Sequence, residues 1–512
     1  MRTWKSDLDS GRLALTPGFR SRHPGRPGRL LASLPVLVSM PAFGHGFGMR
    51  YDLPLPLTLW IIGAACVIVL SFLIISIAVR ANATAEAPAQ PIVLRWQIDN
   101  GVTSAKIRLV AQLFAVAALI LVVAAGIIGD QTPTRNLAPT AIWIAWWVGF
   151  SYLSAFVGNV WSVVNPWAAT FAWCERIVSK WRAPRSATVR WPDSVGVWPG
   201  IALFIAFAWL ELIWEGRSIP SQLAWLAIGF SVLTWTGMFI FGRSTWLAHA
   251  DPFALAFGVL SKFGPTDIRI EHGLPLDCVR CHRGGRGMLI LRLPGAGLVD
   301  NENISPSLSV FVVVMLSTVT FDGLMATPLW QRVESALYVA LPVFGNSRLA
   351  IINTVGLLVF CLTFIAVYRL VATLIAHASG NRMTPDAASR AFVLTLVPIA
   401  IAYLVAHYLS YFLIQGQLLI RLASDPFGFG WNILGTAHFR PDIGIVGARF
   451  VWYTSLVAIV LGHVAAVSLA HIVALRRFED RRLAIRSQIP MLVLMIAYTM
   501  MSLWIIAQPI VE

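Results

Sequence analysis

The chain has 512 residues, of which 57% are hydrophobic and only 12% are charged. Soluble domains carry about 25% charged residues, so this composition predicts that lipid surrounds most of the chain. The formal net charge is +15, but the basic residues cluster in short segments between apolar runs. That placement is typical of cytoplasmic loops in membrane proteins and argues against a nucleic-acid-binding protein.

Residues 1–44 have the pattern of a signal peptide, which leaves residues 45–512 as the mature membrane domain. A basic part precedes the apolar run LLASLPVLVSM, and PAFG follows with Ala42 and Gly44 at the small-residue spacing of signal peptidase sites. Cleavage after Gly44 would make His45 the N-terminus, where the free amine and the imidazole can bind a metal ion together. An ordinary extracytoplasmic start explains the same pattern.

Ten apolar runs have about the length that crosses a bilayer, and they predict an all-α polytopic integral membrane protein. Every second connecting segment is rich in Lys and Arg, which predicts that these segments are cytoplasmic and that both mature termini lie on the opposite side of the membrane. The longest cytoplasmic loop would be 243–307, and 415–449 would be a periplasmic loop. The predicted spans are Leu57–Val79, Leu109–Ile128, Leu137–Val157, Val197–Trp214, Ser221–Phe241, Leu308–Met325, Ala350–Tyr368, Ala391–Ile414, Phe450–Ala474 and Ile489–Ile510.

Three segments share an Asn-Pro or Asp-Pro dipeptide followed by an aromatic residue, at Asn165, Asp251 and Asp425. Asn and Asp cap helices, and Pro suits the first helical position. The repeat therefore predicts a short amphipathic or re-entrant helix after each dipeptide. Transporters built from repeats have similar broken helices, although Asp-Pro is also a common turn.

His407, His463 and Asp322 lie at membrane depth, where ionisable side chains are rare and usually functional. If their helices pack antiparallel, the two imidazoles share a depth in the outer half of the membrane, near Asp322 and the mature His45. These four residues predict a metal site suited to zinc, whose bound water would be the nucleophile. Asp425, in the following periplasmic loop, is a further catalytic candidate.

Two alternatives stay open for these histidines. Each imidazole can hydrogen-bond a neighbouring helix and so stabilise packing. His407 and His463 can also ligate a haem.

The segment CVRCH at 278–282 has the spacing of a haem c attachment site. Its predicted cytoplasmic location argues against that use, because haem c is attached outside the cytoplasm. His272, Cys278, Cys281 and His282 form an alternative zinc site, and two free thiols are an equally simple interpretation. Glu211 and Glu215, four residues apart on one helix face, suggest either a proton pathway or interfacial side chains.

Several segments resemble a family of bacterial polytopic membrane proteins named for fenitrothion hydrolase. They are HGFGMRYDLPLPL at 45–57, NVWSVVNPW at 159–167, VTFDG at 319–323, AHYLSYFLIQGQ at 406–417, SDPFGFGWNILGTA at 424–437 and GHVAAVSLAH at 462–471. The resemblance implies an inner-membrane enzyme that hydrolyses apolar organophosphorus triesters and releases a nitrophenol. It assigns no catalytic residue, and it leaves open whether a related membrane subunit is needed.

Two other classes of function remain. Broken-helix repeats and intramembrane polar residues also suit a transporter of a small molecule or metal ion. Buried histidines also suit a haem- or metal-binding protein of the respiratory membrane.

Overall fold

A computed structural model describes residues 53–78, 92–98, 102–180, 189–270, 287–299 and 304–511. In chain order its helices and strands are α1 (Leu57–Ala78), β1 (Ile92–Ile98), α2 (Val102–Ile128), α3 (Leu137–Thr140), a π-helix (Ala141–Val148), α4 (Gly149–Phe156), α5 (Trp161–Val164), α6 (Pro166–Val178), α7 (Trp198–Leu212), α8 (Pro220–Phe241), α9 (Arg243–His249), α10 (Pro252–Ser261), β2 (Thr266–Ile270), β3 (Gly287–Arg292), α11 (Pro306–Met325), α12 (Pro328–Ala340), α13 (Arg348–Ala378), α14 (Pro385–Phe392), α15 (Val397–Gln415), α16 (Leu418–Ser424), α17 (Ala448–Arg477) and α18 (Arg481–Val511).

The protein is an all-α polytopic membrane protein, as the sequence predicts. Eight helical segments in the described part of the chain are long and apolar enough to cross a membrane, and they contain α1, α2, α8, α11, α13, α15, α17 and α18. The other two predicted spans are also helical, but they are shorter or interrupted. Residues 137–156 pass through α3, the π-helix and α4, and α7 has 15 residues, about 22 Å of helix against a hydrocarbon thickness of about 30 Å.

Local sequence explains where many of these helices begin. Pro occupies the first turn of α6, α8, α10, α11, α12 and α14, where its missing N–H costs nothing. Ser305, Thr327 and Thr384 cap α11, α12 and α14 through side-chain oxygens that accept backbone N–H bonds. These caps satisfy donors that a helix leaves without intrahelical partners.

Helices α11 and α15 are the most buried of the long helices, and they form the centre of the bundle. Helix α15 packs most extensively against α17, and α11 contacts α7, α13 and α15. The α15–α17 contact depends on Gly462, because a Cβ there would lie 2.4 Å from Ala402 Cβ and 2.8 Å from the Pro398 carbonyl oxygen. Small residues at such contacts let membrane helices approach closely.

The Asn/Asp-Pro repeat predicts two short helices correctly and one wrongly. Asn165 Oδ1 accepts from Trp167 N (3.0 Å) and Ala168 N (3.1 Å) at the start of α6. Asp251 Oδ1 accepts from Phe253 N and Ala254 N, both at 2.9 Å, at the start of α10. No helix follows Asp425, because the chain instead turns through Gly428 and Gly430, whose φ angles are 73° and 87°.

The predicted cytoplasmic loop 243–307 is partly helical and partly buried. Residues 243–261 form α9 and α10, and α10 packs against α4 and α7 with Phe257 fully enclosed. After α10, β2 and β3 join β1 in an antiparallel sheet of order β1–β3–β2, which the sequence analysis did not predict. The sheet places the segment after α1 and the segment between α10 and α11 on the same side of the bundle.

Arg292 connects this sheet to the end of α10. Its side chain is 5% exposed and donates to the carbonyl oxygens of Ser261 (3.1 Å), Lys262 (3.3 Å) and Gly264 (3.1 Å). It also forms an ion pair with Asp267 at 3.1 Å. A guanidinium group thus satisfies carbonyls at a helix C-terminus, where a positive charge is favourable.

The loop after the C-terminus of α2 contacts the predicted periplasmic loop 415–449. Asp130 N donates to Phe427 O at 2.8 Å, and Arg135 Nη2 donates to Gly428 O at 3.2 Å. Both loops are predicted to lie on the same side of the membrane, so these contacts agree with the predicted alternation of sides.

Candidate functional site

Asp322 and His407 meet between the two central helices. Asp322 lies one turn before the end of α11, and His407 lies near the middle of α15. His407 Nε2 is 2.9 Å from Asp322 Oδ2, and each side chain is 11% exposed. The structure therefore brings together two of the predicted site residues, from segments 85 positions apart.

Tyr408 extends this pair to a second carboxyl group. Its hydroxyl donates to Asp322 Oδ2 at 2.6 Å and lies 3.5 Å from Glu211 Oε1 on α7. Arg217 stands next to Glu211 and donates to the backbone carbonyl oxygens of Glu211 (3.2 Å) and Leu212. Four ionisable side chains from three helices thus form one continuous polar chain, Glu211–Tyr408–Asp322–His407.

A cavity adjoins the Glu211 end of this chain. Its volume, measured for the centre of a water-sized sphere, is about 20 Å³, and the polar residues lining it are Glu211, Tyr408, Ser151 and Thr318. A site of about 10–15 Å³ by this measure holds one water molecule if polar partners are present. The cavity therefore has room for a water molecule beside Glu211 and Tyr408.

The π-helix supplies part of the cavity wall. Trp147 belongs to it, and Ser151 follows in the next turn. Ser151 Oγ donates to the Trp147 carbonyl oxygen at 2.7 Å, so the two residues are fixed relative to each other. Single π-helical turns within α-helices are frequent at functional sites.

His463 does not join His407 and Asp322. Its Nδ1 is 2.8 Å from Ile459 O one turn earlier on α17, and its ring lies 5.8 Å from that of Tyr498 on α18. Across the described residues, no three His, Cys, Asp or Glu side chains are grouped so that they could hold a metal ion. The prediction that His407, His463 and Asp322 surround one ion is therefore not supported by the packing. His463 is oriented by its helix backbone instead.

Asp425 has a local role in the loop. Its carboxylate accepts from Phe429 N at 2.9 Å and from Gly430 N at 2.7 Å, which closes the turn that replaces the expected helix. Nothing in these contacts connects it to the Asp322–His407 pair.

The remaining predicted ligands lie outside the described residues. These are His45 and the alternative set His272, Cys278, Cys281 and His282. The predicted signal peptide at 1–44 also lies outside the described residues. Zinc binding through His45 and haem binding both stay predictions.

Tyr408 is the site residue that the sequence analysis missed. It directly follows His407, and a tyrosine within an apolar run gives no separate signal because tyrosine is common in membrane helices. Glu211 was noticed as a possible proton-pathway residue, but its partner on another helix was not predictable from spacing.

Comparisons with known proteins found no matching family model, no similar curated protein and no similar solved structure.

Proposed function

We propose that this membrane protein is a hydrolase of apolar phosphotriesters in which His407 and Asp322 accept the proton of the attacking water. The observation that supports this role is the 2.9 Å contact between His407 Nε2 and Asp322 Oδ2. A carboxylate beside an imidazole orients the ring and stabilises its protonated form, which is the arrangement of a general base. The substrate class comes from the resemblance of the sequence to the fenitrothion hydrolase family.

The proposed reaction has one displacement step. The water oxygen forms a bond to phosphorus while the bond from phosphorus to the aryl oxygen breaks. The water proton passes to the His407–Asp322 pair, and the nitrophenolate leaves with the electrons of the broken bond. A nitrophenolate is a good leaving group, so the enzyme mainly needs to activate water and stabilise developing charge.

The position of the pair suits a lipid-soluble substrate. The cavity beside Glu211 has room for water but not for an aryl triester. His407 and Asp322 each keep 11% of their side-chain surface exposed, so the pair is not sealed inside the protein. In this proposal the triester and the attacking water both reach the pair at this exposed surface, since His407 and Asp322 do not line the cavity.

The donor set of the described residues does not favour a metal at this pair. Catalytic zinc sites use three protein ligands and one open position, and His407 and Asp322 supply two. The mechanism therefore assigns water activation to the side chains alone.

The test is nitrophenol release from a triester by membranes containing the protein. We expect His407→Gln and Asp322→Asn to reduce kcat/KM by about 10²–10⁴-fold, the usual contribution of general-base catalysis. His377→Gln, which changes an exposed histidine on α13, is the matched control and should retain full activity at equal expression.

His463→Gln separates this mechanism from a three-ligand metal site. The His407–Asp322 mechanism predicts nearly unchanged activity, whereas a metal site that includes His463 predicts a loss. Absence of hydrolysis by the wild-type protein, or full activity of both pair variants, would reject the proposal.

A second candidate function is proton-coupled transport of a small molecule. The feature that favours it is the contact of Tyr408 with both Asp322 and Glu211, because linked ionisable side chains within membrane helices are typical of proton relays. Uptake of unchanged substrate into vesicles under a pH gradient would support this function over hydrolysis.

A further inference from the structure

The Tyr408 hydroxyl lies between two carboxyl groups, at 2.6 Å from Asp322 Oδ2 and 3.5 Å from Glu211 Oε1. A phenol has a single proton to donate, and its oxygen can also accept. The shorter contact takes that proton. A second negative carboxylate beside the phenol oxygen would then be repelled, whereas a neutral carboxylic acid could donate to it.

The surroundings of Glu211 agree with a neutral acid. Among the described residues, Glu211 forms no ion pair within 4 Å, while Asp322 is paired with His407. Arg217 is the nearby cation and interacts electrostatically with Glu211, but its guanidinium donates to the Glu211 and Leu212 carbonyl oxygens and not to the carboxyl group. Trp147 also hydrogen-bonds the Glu211 side chain, and burial and Asp322 oppose a negative charge there. Asp322 and Tyr411 also interact electrostatically with this site, and neither can compensate a negative charge on Glu211.

We propose that Glu211 is protonated in the resting protein and that Glu211, Tyr408, Asp322 and His407 form a proton relay. In the transfer step, Tyr408 passes its proton to Asp322 while its oxygen receives the proton of Glu211. Asp322 ends neutral, or passes the proton on to His407, and Glu211 ends negative. No electrons are exchanged and no co-reactant is needed.

The cavity lies at the Glu211 end of this relay. Both Glu211 and Tyr408 line it, and it has room for a water molecule. In this proposal a water molecule that carries an excess proton reprotonates Glu211 after each transfer and is left as neutral water. The proton-relay proposal does not depend on triester hydrolysis, because it concerns the resting protonation of the protein alone.

Infrared spectroscopy of the purified full-length protein at neutral pH tests the relay directly. A protonated carboxyl group has a C=O stretch that a carboxylate lacks. We expect this band in the wild-type protein, a downward shift of it in D₂O, and its loss in Glu211→Gln. Asp322→Asn should retain the band, and so should Glu215→Gln, which changes the exposed glutamate four residues along.

Two further variants test whether the infrared band belongs to Glu211. Asp251 is another buried carboxyl group, with Oδ2 lacking a hydrogen-bond partner among the described residues, and Asp251→Asn shows how much of the band it contributes. Tyr408→Phe removes the hydroxyl but keeps the ring, so we expect the Glu211 band to persist at a higher frequency. A wild-type spectrum without the band, a band unchanged in Glu211→Gln, or a frequency unchanged in Tyr408→Phe would overturn the proposal.

Discussion

Replacement of Asp322 by Ala removes the acceptor of two interhelical hydrogen bonds, from His407 and from Tyr408. Interhelical hydrogen bonds within membranes contribute about 0.6 kcal/mol on average, whereas bonds to charged groups contribute about 1.5–3 kcal/mol each. The Asp322 pair lies between these cases, so we expect Asp322→Ala to lower the free energy of unfolding by about 2–4 kcal/mol. Asp322→Asn keeps an acceptor for Tyr408 and should cost about half as much.

Thermal unfolding in a single detergent, followed by loss of monodisperse protein, measures these differences. A double-mutant cycle with His407→Ala isolates the pair and should give a coupling energy of about 1–2 kcal/mol. Asp386→Ala is the matched control, because Asp386 forms an exposed ion pair with Arg369 at 2.5 Å. Such surface pairs contribute about 0–1 kcal/mol.

Additivity of the Asp322→Ala and His407→Ala effects would refute this reasoning. So would an Asp322→Ala effect no larger than that of the Asp386 control. Either result would mean that the two side chains are near each other without stabilising the α11–α15 contact.

Three further predictions concern packing, the sheet and pH. Gly323→Ala would place a Cβ 2.2 Å from Tyr403 Oη and should cost about 1–3 kcal/mol; added Tyr403→Phe should restore part of the loss of thermal stability, and no restoration would contradict the predicted clash. Arg292→Met leaves the carbonyls at the end of α10 without their donor and should lower the free energy of unfolding by about 2–4 kcal/mol. Hydrogen exchange over 261–267 should then be faster, and unchanged exchange would contradict this prediction. The pKa of Asp130 is lowered by a hydrogen bond from the Thr132 backbone N–H, and then by the Thr132 side chain and Arg135. The stabilising contribution of Asp130 is therefore present above the unfolded pKa of about 3.9 and is lost as the pH falls through the lower folded pKa. Hydrogen exchange in 130–135, corrected for intrinsic rates, should accelerate over that pH range in wild type and be independent of pH in Asp130→Asn.

The long apolar helices could be predicted from sequence because hydrophobicity alone determines which segments enter the membrane. Rotation about the helix axis could not. His407 and His463 were both placed at membrane depth, but His407 points toward α11 and His463 bonds its own backbone and faces α18. Depth follows from position along a run, whereas the direction of a side chain follows from which neighbours pack around it.

Other differences arise from contacts that are distant in sequence or from subtle backbone geometry. The π-helix at Ala141–Val148 has the same apolar composition as an α-helix, so no residue pattern marks it. Asp251 and Asp425 begin the same dipeptide motif, and the glycines after Asp425 decide that no helix forms. Strands β1 and β3 are short, and the chain between Ile98 and Gly287 separates them, which local periodicity cannot reveal.

That pairing has a consequence for how the protein is made. Strand β1 ends at Ile98 and its partner β3 begins at Gly287, so the ribosome must add roughly 190 residues before the two can meet, which takes about 10–40 s at ordinary translation rates. During that interval the ribosome makes five of the described helices with ten or more residues, among them the membrane spans α2 and α8, while the backbone groups of β1 stay unpaired. Chains that stop before Gly287 should therefore keep an open strand edge and be preferred targets of chaperones and proteases.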